Sequence, residues 1–161
     1  MSNETKIVKD PSGKKLVITR SFDASVEKVW QAWTESALLD KWWAPKPYRA
    51  ETKIMDFSEG GLWLYAMVSP EGEKNWCRVD FTSIEDGKSY SASTGFCDEE
   101  GNMMPDFPMM YWFNRFESVG NKTNAIMELA FDSEEDLEKI VSMGFKEGFT
   151  MALGNLDELL A

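Results

Sequence analysis

Four of the seven tryptophans in this 161-residue chain fall between Trp30 and Trp43. Each such ring has about 150–250 Å² to bury, so this short stretch must lie against a large apolar surface. It reads as two short helices. Val26, Val29, Trp30 and Trp33 fall at i, i+3, i+4 and i+7, behind Asp23 or Ser25 as the cap. Thr34 or Ser36 is the expected cap of a second helix carrying Leu38, Leu39, Trp42 and Trp43, stopped at Ala44-Pro45-Lys46-Pro47.

The length fits one domain over residues 1–161, with residues 1–15 partly flexible. A hydrophobic content of 43% and a charged content of 28% are those of a soluble globular protein. No apolar run approaches the ~20 residues that span a bilayer, and the polar start from Met1 to Lys15 lacks the apolar stretch of a signal peptide. A cytoplasmic protein is the expectation. The formal charge of −11 argues against nucleic acid and anionic membranes as partners. Histidine is absent, which removes the commonest general base, the Ser-His and Cys-His pairs and most zinc sites. No cofactor, metal or catalytic residue is assigned.

Leu16–Phe22 alternates and is rich in β-branched residues, which predicts a strand. From Tyr48 to Phe131 the period is two. Asp86-Gly87 predicts a two-residue hairpin loop with Glu85 opposite Lys88. That register puts Cys77, Val79, Phe81, Tyr90, Ala92, Thr94 and Phe96 on a core face. Trp76, Arg78, Asp80, Thr82, Ser91, Ser93 and Cys97 fall on a mostly wet one. Cys77 and Cys97 therefore should not pair, and Arg78 and Asp80 should face solvent. Gly120-Asn121 predicts a second hairpin, in which Met110, Trp112, Asn114 and Phe116 share a face with Ala125, Met127, Leu129 and Phe131. Ser58-Glu59-Gly60-Gly61 joins two further strands. Of these, Trp63, Tyr65 and Met67 are the better core set than Leu62, Leu64, Ala66 and Val68. Ser133-Glu134-Glu135-Asp136 opens a last helix. In it Leu137, Val141, Phe145, Phe149, Ala152, Leu156 and Leu159 recur to the C-terminus, interrupted by Gly144, Gly148 and Gly154. Those glycines point to a kink, a close contact with the sheet, or room for a guest.

Val29-Trp30-Gln31-Ala32-Trp33-Thr34, Leu38, Trp42-Trp43-Ala44-Pro45, Gly60-Gly61-Leu62-Trp63 and Gly144-Phe145-Lys146-Glu147-Gly148-Phe149 occur in order. Together they resemble the bacterial relatives of the C-terminal domain of the activator of heat-shock-protein-90 ATPase, within the START/polyketide-cyclase/Bet v-like (SRPBCC) superfamily. The resemblance runs from about Leu16 to Leu160. It departs at Ser36, where relatives often have proline, at Phe149, where tryptophan is common, and near Ser58, where arginine is frequent. It implies an α+β helix-grip fold: a curved antiparallel sheet wrapped around a long C-terminal helix over a deep cavity, with two short helices after the first strand.

Three functions fit that expectation. The first is binding of a small hydrophobic or amphipathic molecule between sheet and C-terminal helix. The sheet would contribute Tyr65, Met67, Val79, Phe81, Tyr90 and Thr94, then Trp112, Asn114 and Met127, and the helix Phe145 and Phe149. The ten methionines, among them Met67, Met109, Met110, Met127, Met143 and Met151, favour an adaptable interior. Asn114 on an apolar face needs a partner: backbone, water, or a guest that it orients with Tyr90 or Thr94. The helical tryptophans are core and rim packing or, alternatively, a lined entrance. The second function is a co-chaperone-like role in stress response, docking a chaperone or other protein through the acidic segment Asp98–Pro108, which otherwise is a solvated loop or a lid. The third is an enzyme of the cyclase, hydratase or hydrolase kind, which would need Asp56 or Glu117 to point inward. Either a monomer or a homodimer is compatible with the sequence.

Overall fold

Alternating burial along successive strands organises the computed structural model, which describes residues 4–161. The chain runs β1 (Lys6–Lys9), β2 (Lys15–Phe22), α1 (Val26–Thr34), α2 (Ser36–Trp42), β3 (Arg49–Met55) and β4 (Leu62–Val68). It continues through β5 (Lys74–Glu85), β6 (Ser89–Cys97), β7 (Met110–Val119), β8 (Lys122–Ala130), α3 (Glu134–Ser142) and α4 (Phe145–Leu160). All eight strands join one antiparallel sheet in the order β1-β2-β8-β7-β6-β5-β4-β3. The sheet is wrapped around α4, the expected helix-grip arrangement. The two short helices follow the second strand, not the first. The extra strand β1 sits at the sheet edge, where Ile7-Val8 between lysines is too short a run to be read from sequence; residues 1–3 of the segment expected to be flexible lie outside the described residues.

Ser25 caps α1, its hydroxyl accepting from the Lys28 backbone N–H. Neither Thr34 nor Ser36 caps α2. A single residue, Glu35, ends α1 and starts α2, so no separate cap fits, and the Thr34 hydroxyl donates back to the Trp30 carbonyl at 2.8 Å.

The β5–β6 hairpin corrects the sequence reading in an instructive way. Its loop has three residues, with Glu85 opposite Ser89, while a bulge at Thr82 shifts the register between Phe81 and Ser83. The two irregularities cancel. From Phe81–Ala92 outward the pairing is the expected one, and Cys77, Val79, Phe81, Tyr90, Ala92 and Thr94 are all buried on the inner face. Both cysteines are free. Arg78 and Asp80 pair with each other on the outer face at 3.0 Å, each about one-third exposed (33% and 38%). The β7–β8 hairpin has the expected register, Val119 opposite Lys122. On β4 both sets of side chains are buried, Leu64, Ala66 and Val68 as well as Trp63 and Tyr65. The outer set is covered where the segment after β6 folds back: Arg78 donates to the Gly101 carbonyl and Lys53 to that of Glu99.

Instead of one long C-terminal helix, two are present. Ser133 caps α3 as expected, but Gly144 adopts φ 94°, a left-handed conformation that ends one helix and starts the next. The second half of α4 buries Leu153 and Leu156 in one core cluster with Leu16, Ile18, Met127 and Leu129 of β2 and β8, all fully buried. Two polar ties hold it there. Arg20 of β2 pairs with Asp157, and the Asn155 side-chain amide donates to the Ala44 carbonyl at 3.1 Å and that of Trp42 at 3.5 Å. Asn155 thus satisfies carbonyls at the C-terminal end of α2 that the helix itself leaves open.

The glycines of this last region should respond oppositely to substitution. Gly144→Ala forces a side chain into a positive-φ position and should lower unfolding stability by about 1–2 kcal/mol. Gly154 sits inside α4 with open space where a Cβ would be, so Gly154→Ala should raise stability by about 0.5–1 kcal/mol. Urea denaturation of both variants checks the pair.

Candidate ligand-binding cavity

Beyond the solid half of the core, side chains no longer fill the space between sheet and helices. A cavity of about 240 Å³ lies between the inner face of β4–β7 and the α3–α4 break. For comparison, an engineered apolar cavity of about 150 Å³ accepts benzene. Strand alternation supplies one wall: Tyr65 and Met67 from β4, Cys77 and Val79 from β5, Thr94 and Phe96 from β6, Met110 and Trp112 from β7. The opposite wall is Trp43 and Pro45 from the bend after α2, Ile140 and Met143 around the end of α3, and Phe145, Gly148 and Phe149 from α4. Met143, Phe96, Met67 and Pro45 keep exposed surface and mark the mouth, whereas Tyr65, Val79, Trp112 and Phe149 are buried and form the floor.

The surface of this space carries no formal charge. Among the described residues, no carboxylate, lysine or arginine lines it. Trp43 Nε1 donates to the Tyr65 hydroxyl at 2.7 Å. Burial above all, with the neighbouring Cys77 adding to it, holds the Tyr65 phenol well above its ordinary range. Burial also pushes the Cys77 thiol up to about 12, against a smaller opposing effect of Tyr65. Both groups are therefore neutral at physiological pH and serve as weakly polar wall.

Deeper toward α1 lies a second, small chamber of about 20 Å³. Trp43, Val79, Thr94 and Trp112 face both spaces; Trp33, Trp63, Phe81, Tyr90, Ala92 and Asn114 complete the inner one. It sits in a network of edge-to-face rings. Trp33 meets Trp42 at 4.9 Å and Phe116 at 5.4 Å between centroids, and Trp43 meets Trp63 at 5.6 Å. Such contacts fix ring orientation as well as burying area.

Seven of the eleven residues expected at the site, Tyr65, Met67, Val79, Thr94, Trp112, Phe145 and Phe149, line the main cavity. Phe81, Tyr90 and Asn114 line the inner chamber. Met127 lines neither space: β8 lies under the packed half of α4, and the side chain is fully buried in the core. Of the helical tryptophans, Trp30 and Trp42 are core, while Trp33 and Trp43 face the chambers. Cys77, Phe96 and Met110 lay on the correctly assigned inner faces and were discoverable there. Trp43 as a lined entrance, Met143 as adaptable interior and Gly144 and Gly148 as room for a guest were readable alternatives. Pro45 and Ile140 were not, because the bend after α2 and the break at Gly144 bring them in. Asp56 and Glu117 are both exposed, so neither supplies the inward carboxylate that the enzymatic reading required. The Asp98–Pro108 segment is strapped down: the Asp98 carboxylate accepts from the Glu100 and Asn102 backbone, and Lys139 of α3 donates to the Asp106 carbonyl at 2.7 Å.

Residues 23–161 match the family described as "Activator of Hsp90 ATPase homolog 1-like protein". The chain belongs to that family. Its sheet gripping α4 is the helix-grip fold of the SRPBCC superfamily, as the sequence resemblance implied. Among solved structures, the chain is similar to protein Ms6760 from Mycobacterium smegmatis, with 30% identity, 98% of this chain and 96% of that one covered, and a TM-score of 0.89. It is equally similar to a protein from Arthrobacter aurescens, with 30% identity, coverage of 96% and 90%, and a TM-score of 0.90. A Silicibacter pomeroyi protein of the same family shares the fold at 21% identity, coverage of 91% and 96%, and a TM-score of 0.72. No curated protein matches the chain.

The buried thiol makes stability pH-dependent. Cys77 titrates near its ordinary value when unfolded and at about 12 when folded, so the folded state holds the proton more tightly. Its contribution is complete below about pH 8.5 and is lost as pH rises toward 12, at up to about 1.4 kcal/mol per pH unit. Cys77→Ala should flatten the fall in unfolding free energy between about pH 9 and 11. Denaturant titrations of both proteins across that range provide the check.

Proposed function

We propose that the protein binds a small hydrophobic or amphipathic molecule in the cavity between β4–β7 and the α3–α4 break. One observation carries the reading: apolar side chains from six elements converge on about 240 Å³ that they leave unfilled. A close-packed interior rarely leaves voids larger than a water molecule. Uncharged walls favour an uncharged guest body, and transfer of that body from water supplies about 25 cal/mol per Å² before ordering costs. The methionines at the mouth, Met67, Met110 and Met143, adapt to guests of different outline.

The family description supports a second reading, docking to a chaperone as an activator-like partner. Met103 and Met104 keep 36% and 44% of their surface exposed on the strapped segment after β6 and would be its contact. A change in a chaperone's ATPase rate that Met103→Glu and Met104→Glu abolish would support this reading.

For the cavity reading, apolar and amphipathic compounds should raise the melting temperature and quench tryptophan emission, since Trp43 and Trp112 form its walls. Gly148 has only ordinary contact with Pro45 at 3.7 Å, so Gly148→Leu should fill the space from α4 without lowering the melting temperature. Guest affinity should fall about tenfold or more, the cost of displacing a few contacts of about 1–3 kcal/mol. A library that neither quenches nor stabilises the wild-type protein removes the proposal.

A further inference from the structure

Two polar atoms at the inner chamber, Trp33 Nε1 and Asn114 Oδ1, are buried with no hydrogen-bond partner among the described residues. Both residues are 2% exposed, and both line the same space. Indole N–H is a donor only and the amide oxygen an acceptor only, so the two needs are complementary. Three neighbouring tryptophans find acceptors within the protein. Trp42 donates to the Ala32 carbonyl at 2.8 Å, Trp43 to the Tyr65 hydroxyl at 2.7 Å and Trp63 to the Thr52 hydroxyl at 3.0 Å. Trp33 stands apart from them. Buried groups of this kind persist where something other than protein completes them.

The chamber's size limits what that can be. About 20 Å³ is room for one water-sized group, which needs about 10–15 Å³. The shared walls Val79, Thr94 and Trp112 put this space directly behind the larger cavity. A carbonyl or ether oxygen would serve only Trp33, and an amine, protonated at neutral pH, only Asn114 and at the cost of a buried charge. A carboxylate would bring charge to a site with no cation in its lining. A hydroxyl serves both.

We propose that the inner chamber is a socket for the single hydroxyl of a phenol or alcohol whose apolar body fills the main cavity. The hydroxyl donates to Asn114 Oδ1 and accepts from Trp33 Nε1. Tyr90, opposite Asn114 across the β6–β7 pair, lines the same chamber and interacts with the Asn114 side chain. This deepens the ligand-binding reading and rests on it: the cavity selects for size and apolarity, the socket for one polar atom at the deep end.

The test compares 2-naphthol with 2-methylnaphthalene, which matches it in shape and lacks the hydroxyl, by titration calorimetry and tryptophan quenching. The wild-type protein should bind 2-naphthol about tenfold more tightly or better, the yield of two buried hydrogen bonds. Asn114→Leu should reverse that preference while keeping or improving affinity for 2-methylnaphthalene. Because Trp33 lies in the core, its part is read in the wild-type protein: its indole N–H resonance should shift with 2-naphthol and not with 2-methylnaphthalene. Equal wild-type affinity for the two compounds overturns the socket, leaves the cavity reading standing, and assigns the chamber to water. Binding of neither compound, nor of any apolar library member, overturns the ligand-binding reading and the socket with it.

Discussion

The hydrogen bonds from Asn155 to the carbonyls of Trp42 and Ala44 fix the geometry on which the hollow half of the molecule depends. They pin the end of α2 to the middle of α4 and set the direction of the chain as it leaves toward Pro45. Two tryptophans adjacent in sequence then point to different fates. Trp42 turns into the packed core and bonds to Ala32, while Trp43 swings over the cavity to meet Tyr65. Without that anchor, nothing in the local sequence would distinguish one ring from the other.

Helix α4 divides the interior. Its second half carries Leu153 and Leu156, fully buried in the same core as Leu16, Ile18, Met127 and Leu129 of β2 and β8. Its first turn, offset by the left-handed residue Gly144, carries Phe145, Gly148 and Phe149 over β4–β7, where packing is left incomplete. The solid half supplies the stability that lets the other half remain open. Its polar features are correspondingly few, and each is neutral: a phenol, a thiol, a threonine and, at the far end, an amide facing an indole.

Much of this was legible beforehand because side-chain alternation in strands is rigid. Once Asp86-Gly87 and Gly120-Asn121 were recognised as turns, the inner faces of β5 to β8 followed, and with them most of the cavity wall. Tyr65 and Met67 were likewise assigned to the correct face of β4. Met127 was misplaced because the pattern says which face a residue occupies, not which part of the opposing helix covers it. The break at Gly144 was legible only as a cost, and the residues it brings to the mouth, Met143 and Ile140, belong to a geometry set by one backbone angle. Family membership was readable from short motifs around the tryptophans and glycines. Asn155 gave no such signal, since what places it is contact between distant elements.

The hairpin between β5 and β6 carries a constraint on chain length. Its three-residue loop and the bulge at Thr82 each add one position to the same strand pair, on opposite strands, and at this chain length their combination keeps Phe81, Val79 and Cys77 facing inward. Forcing Thr82 into the ladder at unchanged length would rotate the wall of the binding space outward by one residue. Deleting Thr82 outright would take the bulge with it and set the Ser83–Ser91 pair beside Phe81–Ala92, so the chain can lose that residue and keep its wall.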